Sequence, residues 1–319
     1  VKNKEYTIQV ADCKPISELI DEIKNLPQEA KMVDSGGLAV YLSKTENIPS
    51  IMHEVGRQRE IAFRCVGEGT GKALDLDEYD EYYYHLLLWN HDTNELVGGY
   101  RLGPADEIIE KYGIKGLYTS TLFNFDEKLT SMINPSVELG RSFIRQEYQR
   151  NYSPLMLLWK GIGQFVVRNP KYRNLFGPVS ISNSYDTTSK EMMVSFLEAN
   201  HLNENLAGNV SPRNPMTFCA SEGGECVESC LSGVKTLEEL DKLIKEREGG
   251  IRSIPILVKQ YLQMGGKMLG FNIDPDFNDS LDAMVLVDLA TTEPRLLRRY
   301  FGNEGTISFL KYHGMETKE

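Results

Sequence analysis

The sequence predicts an α/β protein, a mixed sheet with flanking helices and further helical additions. Three observations carry that reading. A continuous apolar run at Tyr82–Trp89, a turn at Asn90–Asn94 and a return over Glu95–Leu102 form an antiparallel hairpin. A strand over Ser136–Ile144 then leads into a helix announced by Ser153-Pro154, a hydroxyl N-cap followed by proline. From there Leu155, Leu158, Trp159, Ile162, Phe165 and Val166 keep the helical period. Ala283–Leu289 supplies a late strand. Antiparallel strands followed by a strand–loop–helix unit indicate one α/β domain.

Residues 1–45 read as a lead-in: a strand at Tyr6–Val10, a helix at Ile16–Asn25 and a strand at Leu38–Leu42. The main domain is expected over 46–319. It opens with a helix over 46–66, where Ile51, Val55, Ile61 and Ala62 share a face. Gly67–Gly71 is a loop over a pocket. The apolar start of Asn174–Ser180 is a strand, and its Gly177-Pro178 pair marks a strand edge or a loop. Residues 191–250 read as a mostly helical insertion, broken at Gly223-Gly224 and containing a charged helix over Leu237–Arg247; another helix follows at Ile254–Leu262.

Composition bounds the function. The chain has 319 residues, 41% of them hydrophobic, 25% charged, with a net charge of -11. That balance argues against nucleic-acid binding. No segment approaches the apolar length of a spanning helix. No secretory leader is visible and the chain begins at Val1, so the expectation is a cytoplasmic protein or the C-terminal part of a longer polypeptide. Five cysteines, an odd number, fit a reducing compartment. Cys219, Cys226 and Cys230 have poor metal-ligand spacing and no histidine nearby. One stretch departs from the acidic balance: Arg141, Arg145, Arg150, Lys160, Arg168, Lys171 and Arg173 stand against Glu147 alone. It is either a surface for an anionic partner or a solvated helix face.

The candidate chemistry sits in two segments. The first holds Arg59 and Phe63, then Asp75, Asp77 and Asp80, then Gly99-Tyr-Arg101-Leu; the second is Glu138-Leu-Gly140-Arg141. Charges beside apolar runs need partners or ligands. Glu138 and Arg141 would face opposite sides of a regular strand, and a bulge at Gly140 would bring them together. Three acids and the arginines form either a paired network or a grip on a charged substrate, unless the acids are solvated loop charge. Gly67–Lys72 fails the phosphate-loop register, since Val66 stands where the first glycine belongs and Ala73 where a hydroxyl belongs. The helix start, with the N–H groups of Tyr152 and Ser153 beside Arg150, is a better phosphate site, although an ordinary capped helix explains it too. His85 in its apolar strand reads as a core residue. Neither a Gly-x-Ser-x-Gly nucleophile nor the His-Asp pair of glycerolipid O-acyltransferases is present.

These ordered motifs resemble the signature of acyl-homoserine lactone synthases. The stretch from about 50 to 300, including Pro255–Gly266 and Asp274-Pro-Asp276-Phe277, resembles more closely the hemolysin-like N-acyltransferases, the ornithine lipid and glycine lipid synthases of GNAT fold. The resemblance implies a splayed sheet whose V admits an acyl-phosphopantetheine thioester as co-substrate, with no permanently bound cofactor. It implies acyl carrier protein as partner and usual donor, often of a 3-hydroxyacyl chain, and acyl-CoA as the alternative. The acceptor would be the amine of a small amino acid such as glycine or ornithine. Glu138 would be the base, alone or through water, and a backbone N–H at the Gly140 bulge would bind the thioester oxygen. Arg101 and Arg141 would hold the acceptor carboxylate or tie the acidic loop, with Arg59 and Phe63 also in the substrate site. Asp75, Asp77 and Asp80 would order that loop and attract the ammonium; Arg150, Tyr152 and Ser153 would hold the pantetheine phosphate. Two departures stand out: the helix start lacks the glycines of acetyl-CoA-binding relatives, and Asp75 replaces a glutamate. A non-catalytic carrier-binding module and a membrane-active hemolysin-like protein are the alternatives, and peripheral membrane contact stays open.

Overall fold

The computed structural model describes residues 6–217 and 227–315. In chain order the helices and strands are α1 (Ile16–Asn25), β1 (Lys31–Ser35), β2 (Leu38–Ser43), α2 (Pro49–Cys65), β3 (Tyr84–Asn90), β4 (Glu95–Pro104) and α3 (Ala105–Tyr112). There follow β5 (Phe123–Phe125), α4 (Glu127–Met132), β6 (Ser136–Ile144), α5 (Ser153–Arg168), β7 (Asn174–Ile181), α6 (Thr187–His201) and β8 (Val210–Pro212). The chain ends with α7 (Val227–Cys230), α8 (Leu237–Arg247), α9 (Ile256–Gln263), β9 (Lys267–Asp274), β10 (Ser280–Asp288) and α10 (Pro294–Tyr312).

Eight strands form one sheet in the order β1-β2-β3-β4-β6-β7-β10-β9, and β5 pairs with β8 apart from it. All neighbours in the large sheet are antiparallel except β6 and β7. The expected α/β class therefore holds. The continuous apolar run of β3 has a direct cause: the sheet is covered on both faces. Leu86 and Leu88 join the cluster that holds Leu158, Trp159 and Ile162 of α5, while Leu87 and Trp89 pack with Ile51 and Val55 of α2.

Some expectations shift. Tyr6–Val10 forms no strand; it crosses α2 instead, where the Arg64 guanidinium donates to the Ile8 carbonyl at 2.9 Å. β2, from the expected lead-in, pairs along its length with β3 and so belongs to the large sheet. The stretch expected as a helical insertion contains a strand as well, β8, and Pro215 bridges to Asn272 of β9. The Gly223-Gly224 break lies outside the described residues.

The feature that positions the site is the parallel pair. β6 and β7 are in register at Ser136–Asn174, Val137–Leu175 and Glu138–Phe176, and pairing stops there. Pro178 has no N–H to continue the ladder. Gly177, at φ 155°, approaches so closely that a Cβ would stand 2.1 Å from the Leu139 carbonyl oxygen. Beyond this point the strands part. A Gly177→Ala variant should therefore lose about 1–3 kcal/mol of stability, the usual cost of overpacking, measured by urea denaturation against the parent chain.

Candidate active site

The acidic segment between α2 and β3 folds on itself first. Asp77 caps a short turn, accepting from the Tyr79 N–H at 3.1 Å, while Asp80 Oδ2 accepts from the Asp77 N–H at 3.0 Å. Three arginines from three elements then close on it. Arg59 of α2 reaches Asp80 Oδ1 at 2.8 Å. Arg101 of β4 reaches Asp80 Oδ1 at 3.2 Å and also pairs with Asp77. Arg141 of β6 meets Asp77 Oδ2 at 2.9 Å and Asp75 Oδ2 at 3.5 Å. Three carboxylates and three guanidiniums balance, which is what permits their burial. The aromatic rings of Tyr79, Tyr83 and Tyr118 surround the Arg101 guanidinium at 5.6, 5.1 and 5.0 Å from their centroids.

The balance shows in the proton affinities. Burial works to raise the Asp80 carboxyl, but Arg59 and Arg101 overcome it and hold it well below the ordinary carboxylate range. Burial raises Asp75, with Arg141 and Arg59 opposing. Neutralising Asp80 as Asp80→Asn leaves Arg59 and Arg101 without their shared partner. The expected loss is about 3–5 kcal/mol of stability, read by chemical denaturation.

His85 is the core residue expected of it. At 1% exposure its Nε2 lies 2.9 Å from the Asp80 carbonyl and 3.2 Å from the Thr45 hydroxyl. Burial, and then Arg59, lower its pKa from 6.5 to about 4. The folded state thus disfavours the proton that the unfolded chain accepts. Its stabilising contribution is complete above pH 6.5 and is lost as pH falls through about 4. Stability should fall over that window, and His85→Gln should flatten the slope in a pH series of urea melts.

Glu138 is enclosed by donors. It is 1% exposed, and four groups donate to its carboxylate: the Tyr83 and Thr119 hydroxyls, the Thr119 N–H at 2.5 Å and the Tyr118 N–H at 3.1 Å. Its oxygens are occupied, and the side chain anchors the Tyr118–Thr121 turn rather than facing open space. The bulge exists but is displaced by one residue. Arg141 and Ser142 stand against Tyr100, and Arg141 rather than Gly140 takes the left-handed backbone, at φ 48°. Tyr118 links Arg141 and Glu138: its hydroxyl lies 3.4 Å from Arg141 and its N–H donates to Glu138.

The splay between β6 and β7 opens as a cleft. Gly140, Arg141 and Ser142 line one side, and Pro178, Val179 and Ser180 the other. Phe63 reaches it beside Phe277, their centroids 6.3 Å apart, and Glu68, Asp274 and Asp282 contribute carboxyls. Burial, reinforced by Asp274, pushes Asp282 up to about 7; burial, reinforced by Asp282, pushes Glu68 up to about 8. Burial also raises Asp274. Asp80, Arg101 and Arg59 support this cleft from behind without lining it.

The Gly67–Gly71 loop carries Glu68 to the cleft, and it is no phosphate loop. The Thr70 and Gly71 N–H groups donate to buried Glu60 at 3.1 and 2.9 Å, so the loop carries its own anion. The helix start is likewise partly spent. Ser153 is the first residue of α5 rather than its cap, and its N–H donates to Asn151 Oδ1 at 3.0 Å. Tyr152 donates its hydroxyl to Gln260 at 2.7 Å, and Arg150 is exposed. Most of the basic stretch is engaged too: Arg145 pairs with Glu95, Lys171 with Asp106 and Arg173 with Asp288. Cys219 and Cys226 lie outside the described residues, among which no cluster suits a metal ion. No helix among those residues is long and apolar enough to cross a membrane.

Residues 58–160 match the family model of the acetyltransferase (GNAT) domain. The glycine N(alpha)-acyltransferase of Bacteroides thetaiotaomicron is 32% identical over 288 residues, 86% of this chain and 84% of that protein. The chain belongs to this family of GNAT N-acyltransferases. The L-ornithine N(alpha)-acyltransferase of Rhodobacter capsulatus is 25% identical over 67% of this chain and 74% of its own. A solved CoA-dependent acyl-homoserine lactone synthase, MesI, aligns over 83% of this chain and 95% of its own, with 13% identity and a TM-score of 0.37.

In this N-acyltransferase the motifs Arg59, Asp75–Asp80, Arg101 and Arg141 converge as one unit, while Glu68 and Asp282 escaped the sequence reading. Glu68 sat inside a glycine-rich run judged on its phosphate-loop register. Asp282 is an acid at the start of an apolar strand, the same signal that had singled out Glu138. Because Glu138 gathers donors only, Glu138→Gln turns an amide N–H₂ toward them. About 2 kcal/mol of stability should go, together with activity, and a thermal melt run beside the turnover assay would show both losses.

Proposed function

We propose that this enzyme moves a fatty acyl group from the phosphopantetheine thioester of acyl carrier protein to the α-amine of a small amino acid, glycine or ornithine, in aminolipid synthesis. The observation that carries the acceptor class is the charge layout of the cleft. Arg141 stands on the β6 side, and Glu68, Asp274 and Asp282 face the same space. A zwitterionic amino acid matches that layout, carboxylate toward Arg141 and ammonium toward the acids. The relatives named for glycine and ornithine acyl transfer support the same acceptors.

The thioester lies in the V between β6 and β7, its carbonyl oxygen on a backbone N–H of the Arg141–Ser142 bulge. Phe63 and Phe277 wall the cleft, and the ion network behind it fixes Arg141 so that the two reactants align. Glu138 acts by holding Tyr118 in place. The phosphate of the pantetheine arm meets Arg150 and the start of α5. With the Ser153 N–H already used and Pro154 lacking one, that helix start favours a donor held also by protein–protein contact over one held by its diphosphate alone.

Purified enzyme with acyl carrier protein, glycine and ornithine should release carrier thiol and form N-acyl amino acid, read by mass spectrometry. Catalytic efficiency should be higher with the carrier than with acyl-CoA, and the difference should narrow as salt screens the association. Carrier binding without turnover of any acyl chain would overturn the proposal. Equal efficiency of the two donors at low salt would remove the carrier from it.

A further inference from the structure

The reaction needs a group to take a proton from the acceptor ammonium, and Glu138, with its oxygens already occupied, is not placed to do so. We infer that Asp282 is the proton acceptor, and that Glu68 and Asp274 complete an anionic cage around the amine. The inference rests on the acyl-transfer reading above and deepens it.

Asp282 lies on β10 opposite Ser180 of β7, one of the residues on the parted edge of the cleft. The Ser180 hydroxyl donates to Asp282 Oδ1 at 2.6 Å, which fixes the carboxyl and leaves Oδ2 without a hydrogen bond among the described residues. Asp274 reaches the cleft from the end of β9, its Oδ1 accepting from the Asp276 N–H at 2.9 Å. Glu68 comes from the opposite connection, on the loop that Glu60 secures. Three strands or loops thus deliver acids to one space.

A separate observation points to a polar ligand there. Tyr100 is 2% exposed and lines the same cleft, yet its hydroxyl makes no well-formed hydrogen bond among the described residues, although the polar groups of Ser142, Tyr261 and Trp159 stand near it. A buried hydroxyl without a partner is costly unless a bound molecule supplies one. The charged and titratable groups facing Asp282 are Asp274 from β9, Glu68 from its loop, Arg141 from β6 and Tyr118 from the turn before β5; β7 offers the Ser180 hydroxyl. The acids raise one another's proton affinity, so an arriving ammonium relieves their repulsion and is held in return.

The protons balance. Asp282 takes one from the ammonium, and the freed amine attacks the thioester carbonyl. The C–N bond forms and the C–S bond breaks. The second proton leaves nitrogen and goes to the departing thiolate, and the third stays on the amide. Asp282 then releases its proton to solvent.

The test is Asp282→Asn, which keeps an oxygen for the Ser180 hydroxyl. With glycine or ornithine, kcat/KM at neutral pH should fall about 10²- to 10⁴-fold, the usual weight of a general base. With hydroxylamine, already unprotonated at neutral pH, the fall should be under about tenfold, because no proton needs removing in advance. In the parent enzyme the rate with glycine should climb with pH through about 7 as Asp282 ionises. In the variant the climb should move up to the pKa of the amine itself. Glu68→Gln, at a side chain with no ion pair among the described residues, should raise the acceptor KM with little change in kcat.

Equal losses with glycine and hydroxylamine, or an unshifted pH profile in the variant, would overturn the assignment of Asp282. An unchanged acceptor KM in Glu68→Gln would overturn the cage. If the parent enzyme acylates no amino acid from any thioester, the underlying reading fails, and the inference with it. Parent activity beside an indifferent variant sinks the inference alone.

Discussion

The architecture of the site depends on one constraint: three carboxylates within six residues must each find a cation away from water. Asp75, Asp77 and Asp80 cannot satisfy one another. They draw Arg59 from α2, Arg101 from β4 and Arg141 from β6 to a single point. In doing so they lock a helix against two strands and fix the bulge that turns Arg141 toward the cleft. Because a buried charge without its partner costs several kcal/mol, the network is a stronger organiser of this region than any one apolar contact.

Behind and beside that network the acids divide by environment. Glu138 is surrounded by donors and serves as an anchor. Asp80 is saturated by cations and stays ionised. Asp282 and Glu68 face open space with few donors, and burial keeps their proton affinity near neutrality. Acids of one chemical type thus acquire different work from their neighbours. The Tyr118 turn links the two settings, its N–H held by Glu138 and its ring stacked under Arg101 and Arg141.

Much of this was legible in the sequence where local pattern and tertiary demand agree. The Ile16–Asn25 helix and the Ser136–Ile144 strand fall on their expected residues, and the Gly177-Pro178 pair marks the parting of β6 and β7 as its chemistry implies. The convergence of acids and arginines followed from the cost of unpaired charge. Other parts had no local signature. β1 is a half-exposed edge strand, β9 carries a glycine, and α10 bends at Gly302, which leaves the helical region at φ 74°. Tyr6–Val10 alternates as a strand should, but its carbonyl at Ile8 goes to Arg64. The surroundings of Glu138 were equally hidden, because a sequence shows an acid in an apolar strand and not the four donors that fold around it.

The network also limits how this chain can change. Each of its six charges is matched to residues far away in sequence, so a single exchange at one position strands another. Reversal of a pair, or its replacement by apolar side chains of similar volume, would have to alter both ends together, since effects within one network do not add. Drift at Asp77 is bound to drift at Arg101 and Arg141 at once, two positions on different strands. The acids on the far side of the cleft are free of that bond: among the described residues Glu68 has no ion pair, and Asp282 is held through a single serine. That wall can therefore change residue by residue, while the opposite wall remains as it is.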